Sequence, residues 1–87
     1  MELLNKMEMK NNYETSDFYC ASALIASGFS IQSIDKTNPK RSIFQFKNSE
    51  DLQKIVSLFW LRRLNVNVNS VFEAQRYLKS LIFNEEL

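Results

Sequence analysis

The chain contains a single glycine, Gly28, and a single proline, Pro39. Because these two residue types interrupt helices and strands most effectively, a chain this poor in them can turn sharply at few places. Most elements must therefore begin or end at side-chain caps formed by serine, threonine, aspartate or asparagine. The 87 residues, 45% of them apolar, are sufficient for one small domain and leave no room for a second.

A first helix is predicted between a cluster of capping residues and the glycine. Thr15 or Ser16 can cap it, and Asp17 is placed to complement the positive charge of its first turn. The helix then runs to about Ser27 and ends at Gly28, which can adopt the left-handed conformation of a C-cap. Its apolar face consists of Phe18, Ala21, Leu24 and Ile25, and small residues on its other sides allow close packing.

Two strands follow, at Phe29–Asp35 and Ser42–Lys47, joined by a turn at 36–41 that contains the proline. The second strand alternates strictly, which places its two phenylalanines on one face. In the first strand, Ile31 and Ile34 have opposite parity. Either a β-bulge corrects the register, or both faces of this strand are partly buried.

The second half of the chain is predicted to contain two more helices. The second helix begins after Asn48 or Ser49 and carries basic residues 62–63 in its last turn, the charge order that the helix dipole prefers. The segment Leu64–Asn69 alternates asparagine with leucine and valine, so we expect an extended segment or a short third strand. A capping box at 70–73, Ser-Val-Phe-Glu, opens the third helix.

These elements predict an α+β fold in which three helices pack on a small antiparallel sheet, in the order α-β-β-α-(β)-α. Residues 1–12 are predicted as a flexible or partly helical leader, and residues 13–87 as the single domain.

The composition excludes most catalytic chemistry. The chain has no histidine, so it lacks the usual proton shuttle at neutral pH and the commonest metal ligand. Its one cysteine, Cys20, cannot form an intramolecular disulfide or a zinc site, and its place inside the first helix indicates a buried filler. Glu50 and Asp51 are neighbours on a helix and diverge by about 100°. We therefore expect no enzymatic activity, no metal and no cofactor.

No apolar run approaches the ~18 residues needed to cross a bilayer, and the first residues lack the pattern of a signal peptide. A lone cysteine is typical of a reducing compartment. We therefore expect a soluble, cytoplasmic protein without a membrane partner.

The formal charge of +1 conceals a basic central region, because residues 18–84 contain nine basic and four acidic residues. We interpret this excess as a modest surface that binds nucleic acid or a nucleoprotein complex. The eight predicted contacts are Lys36, Lys40, Arg41, Lys47, Arg62, Arg63, Arg76 and Lys79.

Two of these cations belong to a stripe on the third helix, where Phe72, Arg76, Lys79 and Phe83 recur at steps of four, three and four residues. Exposed rings at these positions would stack on single-stranded bases while the cations meet phosphates. Alternatively, both phenylalanines extend the core and the cations are solvated, and we favour this second interpretation of the stripe.

A second function is a protein-interaction module, either a homodimer or a phage-type inhibitor of a host complex. The second helix has more apolar residues than one buried stripe requires, and Trp60 and Leu61 are the additional ones. We therefore expect them to form an exposed contact patch. Val66 and Val68 lie in the alternating segment, which can pair with a partner as an edge strand.

Finally, the segment Tyr13–Tyr19, which reads Tyr-Glu-Thr-Ser-Asp-Phe-Tyr, resembles the helix start of a small bacterial, archaeal and phage family of unknown function. The further matches are Ala21, Ala23, Leu24, Gly28, Phe44, Gln45, Phe46, Trp60, Phe72, Leu78, Lys79, Ile82 and Phe83. The likeness covers about residues 13–83. It implies a short stand-alone protein in a phage-like or mobile-element setting, with no established activity and therefore no catalytic residues to transfer. The chain differs at 60–63, where the family tends to be more polar and to contain glycine.

Overall fold

The computed structural model describes residues 11–83 and has the element order β-α-β-β-α-α. The elements are β1 (Asn12–Thr15), α1 (Phe18–Ala26), β2 (Ile31–Asp35), β3 (Ile43–Lys47), α2 (Glu50–Trp60) and α3 (Val68–Phe83). The predicted α+β class, with an antiparallel sheet and three helices, is confirmed within these residues, but the predicted order is wrong in detail. The third strand precedes the first helix instead of following the second.

The sheet has the order β1-β3-β2, with both outer strands antiparallel to β3. Tyr13 of β1 pairs with Phe46, so the short strand continues the alternation of β3. Most of the predicted leader lies outside the described residues, and Asn12 belongs to β1. The backbone carbonyl of Asn11 accepts a hydrogen bond of 2.8 Å from the Asn48 amide, which ties the start of β1 to the end of β3.

The alternating segment Leu64–Asn69 does not form the predicted strand. The side-chain oxygen of Asn67 accepts hydrogen bonds from the amides of Asn69 at 2.8 Å and Ser70 at 3.2 Å, and thereby caps α3. The helix begins at Val68, two residues before the predicted capping box. Asparagine is as good an N-cap as serine, so the earlier cap extends the helix and turns the valines away from a strand.

The parity conflict in β2 is resolved by a register shift between Ile31 and Ser33, as the first of the two sequence interpretations predicted. As a result, Ile31 pairs with Phe46 and Ile34 pairs with Phe44, so both isoleucines lie on the same face as the phenylalanines of β3.

α1 is the centre of the core. Five consecutive residues, Cys20–Leu24, are buried, and α1 contacts α3, α2 and β1. The hydroxyl of Ser22, which is fully buried, donates a 2.8 Å hydrogen bond to the Phe18 carbonyl. The core against α1 is completed by Phe44 and Phe46 of β3, Leu52 and Val56 of α2, and Leu78 of α3. A helical turn that is buried on all sides needs small side chains, and Cys20–Ala23 provide them.

The N-cap of α1 is Asp17, which the sequence interpretation had placed inside the first turn. Its Oδ1 accepts a hydrogen bond from the Cys20 amide at 2.8 Å, and the Asp17 amide in turn donates to Thr15 Oγ1 at 3.1 Å. At the other end, Gly28 has a φ of 104° and its amide donates to the Ile25 carbonyl at 3.0 Å. The predicted glycine C-cap is therefore confirmed.

The same C-cap geometry ends α2, but with arginine at the glycine position. Ser49 caps the N-terminus by accepting from the Leu52 amide at 3.0 Å. At the C-terminus, Arg62 has a φ of 61°, and the Arg63 amide donates to the Leu58 carbonyl at 2.9 Å. The two arginines thus lie beyond the helix, contrary to their predicted place in its last turn. A side chain with a Cβ atom is strained in this left-handed conformation.

Arg62→Gly is expected to raise the free energy of unfolding by about 0.5–1 kcal/mol, because glycine adopts a positive φ without the Cβ clash. Urea denaturation measures the change. The matched control is Arg62→Ala, which removes the guanidinium and keeps the Cβ, and which should stay within about 0.5 kcal/mol of wild type. A glycine variant less stable than the alanine variant would contradict this account.

Candidate functional site

One predicted nucleic-acid contact, Lys36, acts inside the fold. Its Nζ donates hydrogen bonds to the backbone carbonyls of Leu81 at 2.7 Å and Ile82 at 3.3 Å, at the C-terminal end of α3. A cation here satisfies carbonyls that have no intrahelical partner and opposes the negative end of the helix dipole. Sequence reasoning missed this contact because it joins residues 45 positions apart, with no local signal.

The other seven predicted contacts are exposed but lie in different parts of the molecule. Lys40 and Arg41 are in the β2–β3 connection, which Lys36 anchors beside the C-terminus of α3. Lys47 ends β3, and five residues of strand place it ~13 Å from the start of that strand. The remaining four cations are Arg62 and Arg63, which follow α2, and Arg76 and Lys79 on α3. The seven exposed cations therefore belong to four parts of the fold: the β2–β3 connection, the end of β3, the α2–α3 connection and α3.

The stripe on α3 faces solvent. Phe72 is 55% exposed and Phe83 is 77% exposed, and the two cations between them, Arg76 and Lys79, are exposed as well. The buried side of the helix is instead formed around Ala74 and Leu78. The interpretation that we favoured from the sequence, in which both phenylalanines extend the core, is wrong.

A second set of exposed side chains is apolar. Trp60 and Leu61 are exposed as predicted, at the end of α2. Val68 is exposed in the first turn of α3, and Val66 is half-buried in the connection before it. Because neither valine lies in a strand, the predicted edge-strand pairing through this segment is wrong.

A groove of about 290 Å³ opens between α1, the α2–α3 connection and α3. Its lining residues are Tyr19 and Ala23 of α1, Phe59 of α2, Arg62, Leu64 and Val66 of the connection, and Val71 and Gln75 of α3. Among these described lining residues, Arg62 is the only charged one. The sequence carried no signal for the groove, which depends on how three separate elements meet.

Five exposed apolar side chains lie on the elements that line this groove: Tyr19, Trp60, Leu61, Val68 and Phe72. We call these five residues the apolar rim. Tyr19 itself lines the groove, and each of the others is within three residues of a lining position on the same element or connection. The start of α1, the end of α2 and the start of α3 therefore each line the groove and each carry exposed apolar side chains.

Two contacts accompany these residues. The Tyr13 hydroxyl lies 3.9 Å from Cys20 Sγ. The rings of Phe59 and Trp60 pack edge to face, with centroids 4.9 Å apart. The pKa of Tyr13 is raised to about 12, mainly by burial and in part by interactions with the Cys20 thiol. Burial also raises the pKa of the Cys20 thiol. A buried thiol held in its neutral form is a packing group, as predicted for Cys20, and a poor nucleophile.

The sheet face opposite to the core carries polar side chains that hydrogen-bond to one another across all three strands. Gln45 of β3 donates through Nε2 to Glu14 Oε2 at 2.7 Å, and Ser33 of β2 donates to the Gln45 side-chain oxygen. This row contains no aromatic ring, so it offers no stacking platform for bases.

Within residues 11–83, no group of three or more histidine, cysteine, aspartate or glutamate side chains has a metal-binding arrangement. None of the helices in the same range is both long enough and apolar enough to cross a membrane.

By its fold and its groove, the chain is a small α+β protein with an apolar groove between its helices. Within that class, residues 10–84 match the family described as Domain of unknown function (DUF5659), and the chain belongs to this family. The resemblance to a family of unknown function is thereby confirmed, whereas its phage or mobile-element setting stays a prediction. No curated protein and no solved structure matches the chain significantly.

An alkaline titration followed by tyrosinate absorbance at 295 nm is expected to contain a step with a pKa of about 12 that disappears in Tyr13→Phe. Because this pKa is raised above the reference value of 10.0, the contribution of Tyr13 to stability is complete below pH 10 and is lost as pH rises through 12. The Tyr13→Phe variant should therefore lose less stability between pH 9 and 11 than wild type. Removal of a step near pH 10 instead would contradict the burial of this hydroxyl.

Proposed function

We propose that the protein is a non-enzymatic protein-interaction module that binds a partner through the groove and the apolar rim. The observation that carries the proposal is the concentration of five large apolar side chains, each 55–65% exposed, around one apolar groove. Small monomeric proteins rarely expose so many large apolar residues in one place unless they meet a partner there.

The composition of this surface supports protein binding. Aromatic residues are enriched at the centres of protein interfaces, and Tyr19, Trp60 and Phe72 belong to the rim. Each aromatic side chain can bury about 150–250 Å², so the rim provides a substantial part of the ~800 Å² that one partner contributes to a stable interface. The groove supplies the concave centre in which an apolar anchor residue can be desolvated.

The absence of catalysis is part of this proposal. The chain has no histidine, and its one thiol is buried and protonated. The cytoplasmic location and the phage or mobile-element setting predicted from the sequence are compatible with a small accessory protein of this kind, and they remain predictions.

Site-specific photo-crosslinking tests the proposal. A benzoylphenylalanine introduced at Phe72 is expected to give discrete adducts in the native host cells, because this position borders the groove. The same group at Thr37, which is exposed in the β2–β3 connection, is the matched control and should give none. Adducts of protein at Phe72 alone support the proposal, including adducts with a second copy of the chain. Equal labelling at both positions, or none at either, contradicts it.

A second candidate function, binding of single-stranded nucleic acid, is favoured by one observation: the stripe of Phe72, Arg76, Lys79 and Phe83 is exposed along its length. Rings and cations alternating on one helix face suit stacked bases and the phosphates between them. The scattered positions of the other cations limit the size of such a site.

Fluorescence anisotropy with single- and double-stranded oligonucleotides tests this second function. If it is correct, binding weakens as salt rises, and the double variant Arg76→Gln/Lys79→Gln binds less tightly with a salt slope smaller by about one to two. Lys54→Gln, on the exposed side of α2, is the charge-matched control and should resemble wild type. Failure to bind at ~50 mM salt would exclude this function.

A further inference from the structure

We infer that the groove binds an acidic amphipathic segment of a partner protein, in which a carboxylate pairs with Arg62 while neighbouring apolar side chains fill the groove. This inference rests on the proposed protein-interaction function and names the chemistry of the partner.

The first argument is the isolation of Arg62 in apolar surroundings. The walls of the groove are built mainly from aromatic and aliphatic residues, among them Tyr19, Leu64 and Val71, and the described lining residues include no carboxylate. No described residue forms an ion pair or hydrogen bond with the Arg62 side chain. An arginine beside apolar walls interacts more strongly with an incoming anion than a fully solvated one, because the local dielectric is lower.

The second argument is the backbone of Arg62. Its φ of 61° is fixed by the C-cap of α2, where its amide donates to the Phe59 carbonyl at 3.0 Å and the next amide donates to Leu58. Glycine would occupy this position without strain, so an arginine here carries a conformational cost. Strained backbone positions cluster at binding sites, where the cost holds a functional side chain in place.

The third argument is the sign of the surrounding charge. Along the chain, Arg63 follows Arg62 and Arg76 follows the lining residue Gln75, whereas Glu73 lies between the lining residues Val71 and Gln75. The described acidic residues of α2, Glu50 and Asp51, are in its first turn, ~15 Å along the helix from its C-terminus. Because Arg62 is the only charged residue among the described lining residues, a partner that brings a carboxylate to the groove is favoured by charge complementarity.

The size of the groove limits what enters it. At about 290 Å³ it is at the lower end of pocket volumes and suits one or two apolar side chains of a short segment. Aliphatic walls favour such anchors over a phosphate backbone. A peptide segment that combines an apolar anchor with aspartate or glutamate matches both the volume and the charge.

Selection from a display library of random 16-residue peptides on the immobilised full chain tests the inference. The selected peptides are then synthesised, and their affinities for wild type, Arg62→Gly, Arg62→Lys and the control Lys54→Gln are measured by anisotropy. We expect enrichment of Asp or Glu near Leu, Ile, Phe or Trp, at least tenfold weaker binding to Arg62→Gly, partial retention by Arg62→Lys, and no change in the control. Because Arg62→Gly is expected to be more stable than wild type, unfolding cannot explain its loss of binding.

A double-mutant cycle isolates the ion pair. When the peptide carboxylate is replaced by its amide, Arg62→Gly should cause no further loss of affinity. Equal losses with the acidic and the amide peptide would overturn the role of Arg62.

The remaining outcomes separate this inference from the proposed function. Selected peptides that lack acidic residues but lose affinity for Leu61→Ser/Phe72→Ser would overturn the acidic partner and support the proposed function. Selection of no peptide by wild type above the level of Leu61→Ser/Phe72→Ser would overturn both. If a single-stranded oligonucleotide displaces the peptides and this displacement depends on Arg62, the groove binds nucleic acid. If sedimentation shows dimers that depend on Arg62, the groove binds a second copy of the chain. Either result overturns the inference.

Discussion

The complete burial of the central turn of α1 is the constraint on which the rest of the structure depends. Cys20–Leu24 leave no solvent-facing turn, so the sheet, α2 and α3 must all approach this one helix. Small side chains make the close approach possible, but they also fill less space at the margin of the core. Ala23 lies at that margin and lines the groove beside Tyr19. The small side chains of α1 let three elements pack against it. For the same reason, they leave a concave apolar surface where α2 ends and α3 begins.

Two C-caps of the same geometry direct the chain around this core. Gly28 turns it from α1 into β2, and Arg62 turns it from α2 towards α3. In the first case the residue is the one that the conformation prefers. In the second case the same conformation is adopted by an arginine, two residues after the end of α2 at Trp60. The C-cap needs only a left-handed backbone at position 62, but the residue there also brings a guanidinium to the groove. The conformational cost of the left-handed arginine is offset by the packing of α2 before it.

Local signals were sufficient for α1, α2 and the β2–β3 hairpin, because caps, a glycine and strict alternation each determine structure within a few residues. The bulge in β2 followed from the parity of two isoleucines. The errors have non-local causes. Asn67 and Ser70 compete as caps of α3, and only the packing of the helix selects the earlier one. β1 has four residues and becomes a strand because β3 is available as a partner. For the candidate site, the exposure of Trp60 and Leu61 could be predicted from an excess of apolar residues, but the groove could not, since its lining comes from four separate stretches of the chain.

The environments of the basic residues matter more than their number. The excess of positive charge in the centre of the sequence favours a nucleic-acid surface only if the cations act together, and they belong to several different elements and connections. Lys36 is directed to the carbonyls at the end of α3, where it stabilises the fold. Lys40 and Arg41 in the β2–β3 connection and Lys47 at the end of β3 are exposed, so water screens their charges. Arg62 differs because it stands at an apolar groove, in which a single charge discriminates between partners more strongly than several solvated ones. The basic residues therefore act in three ways: Lys36 stabilises the fold, the exposed cations are solvated, and Arg62 stands at a binding surface. Of these three, only Arg62 defines the chemistry of a partner.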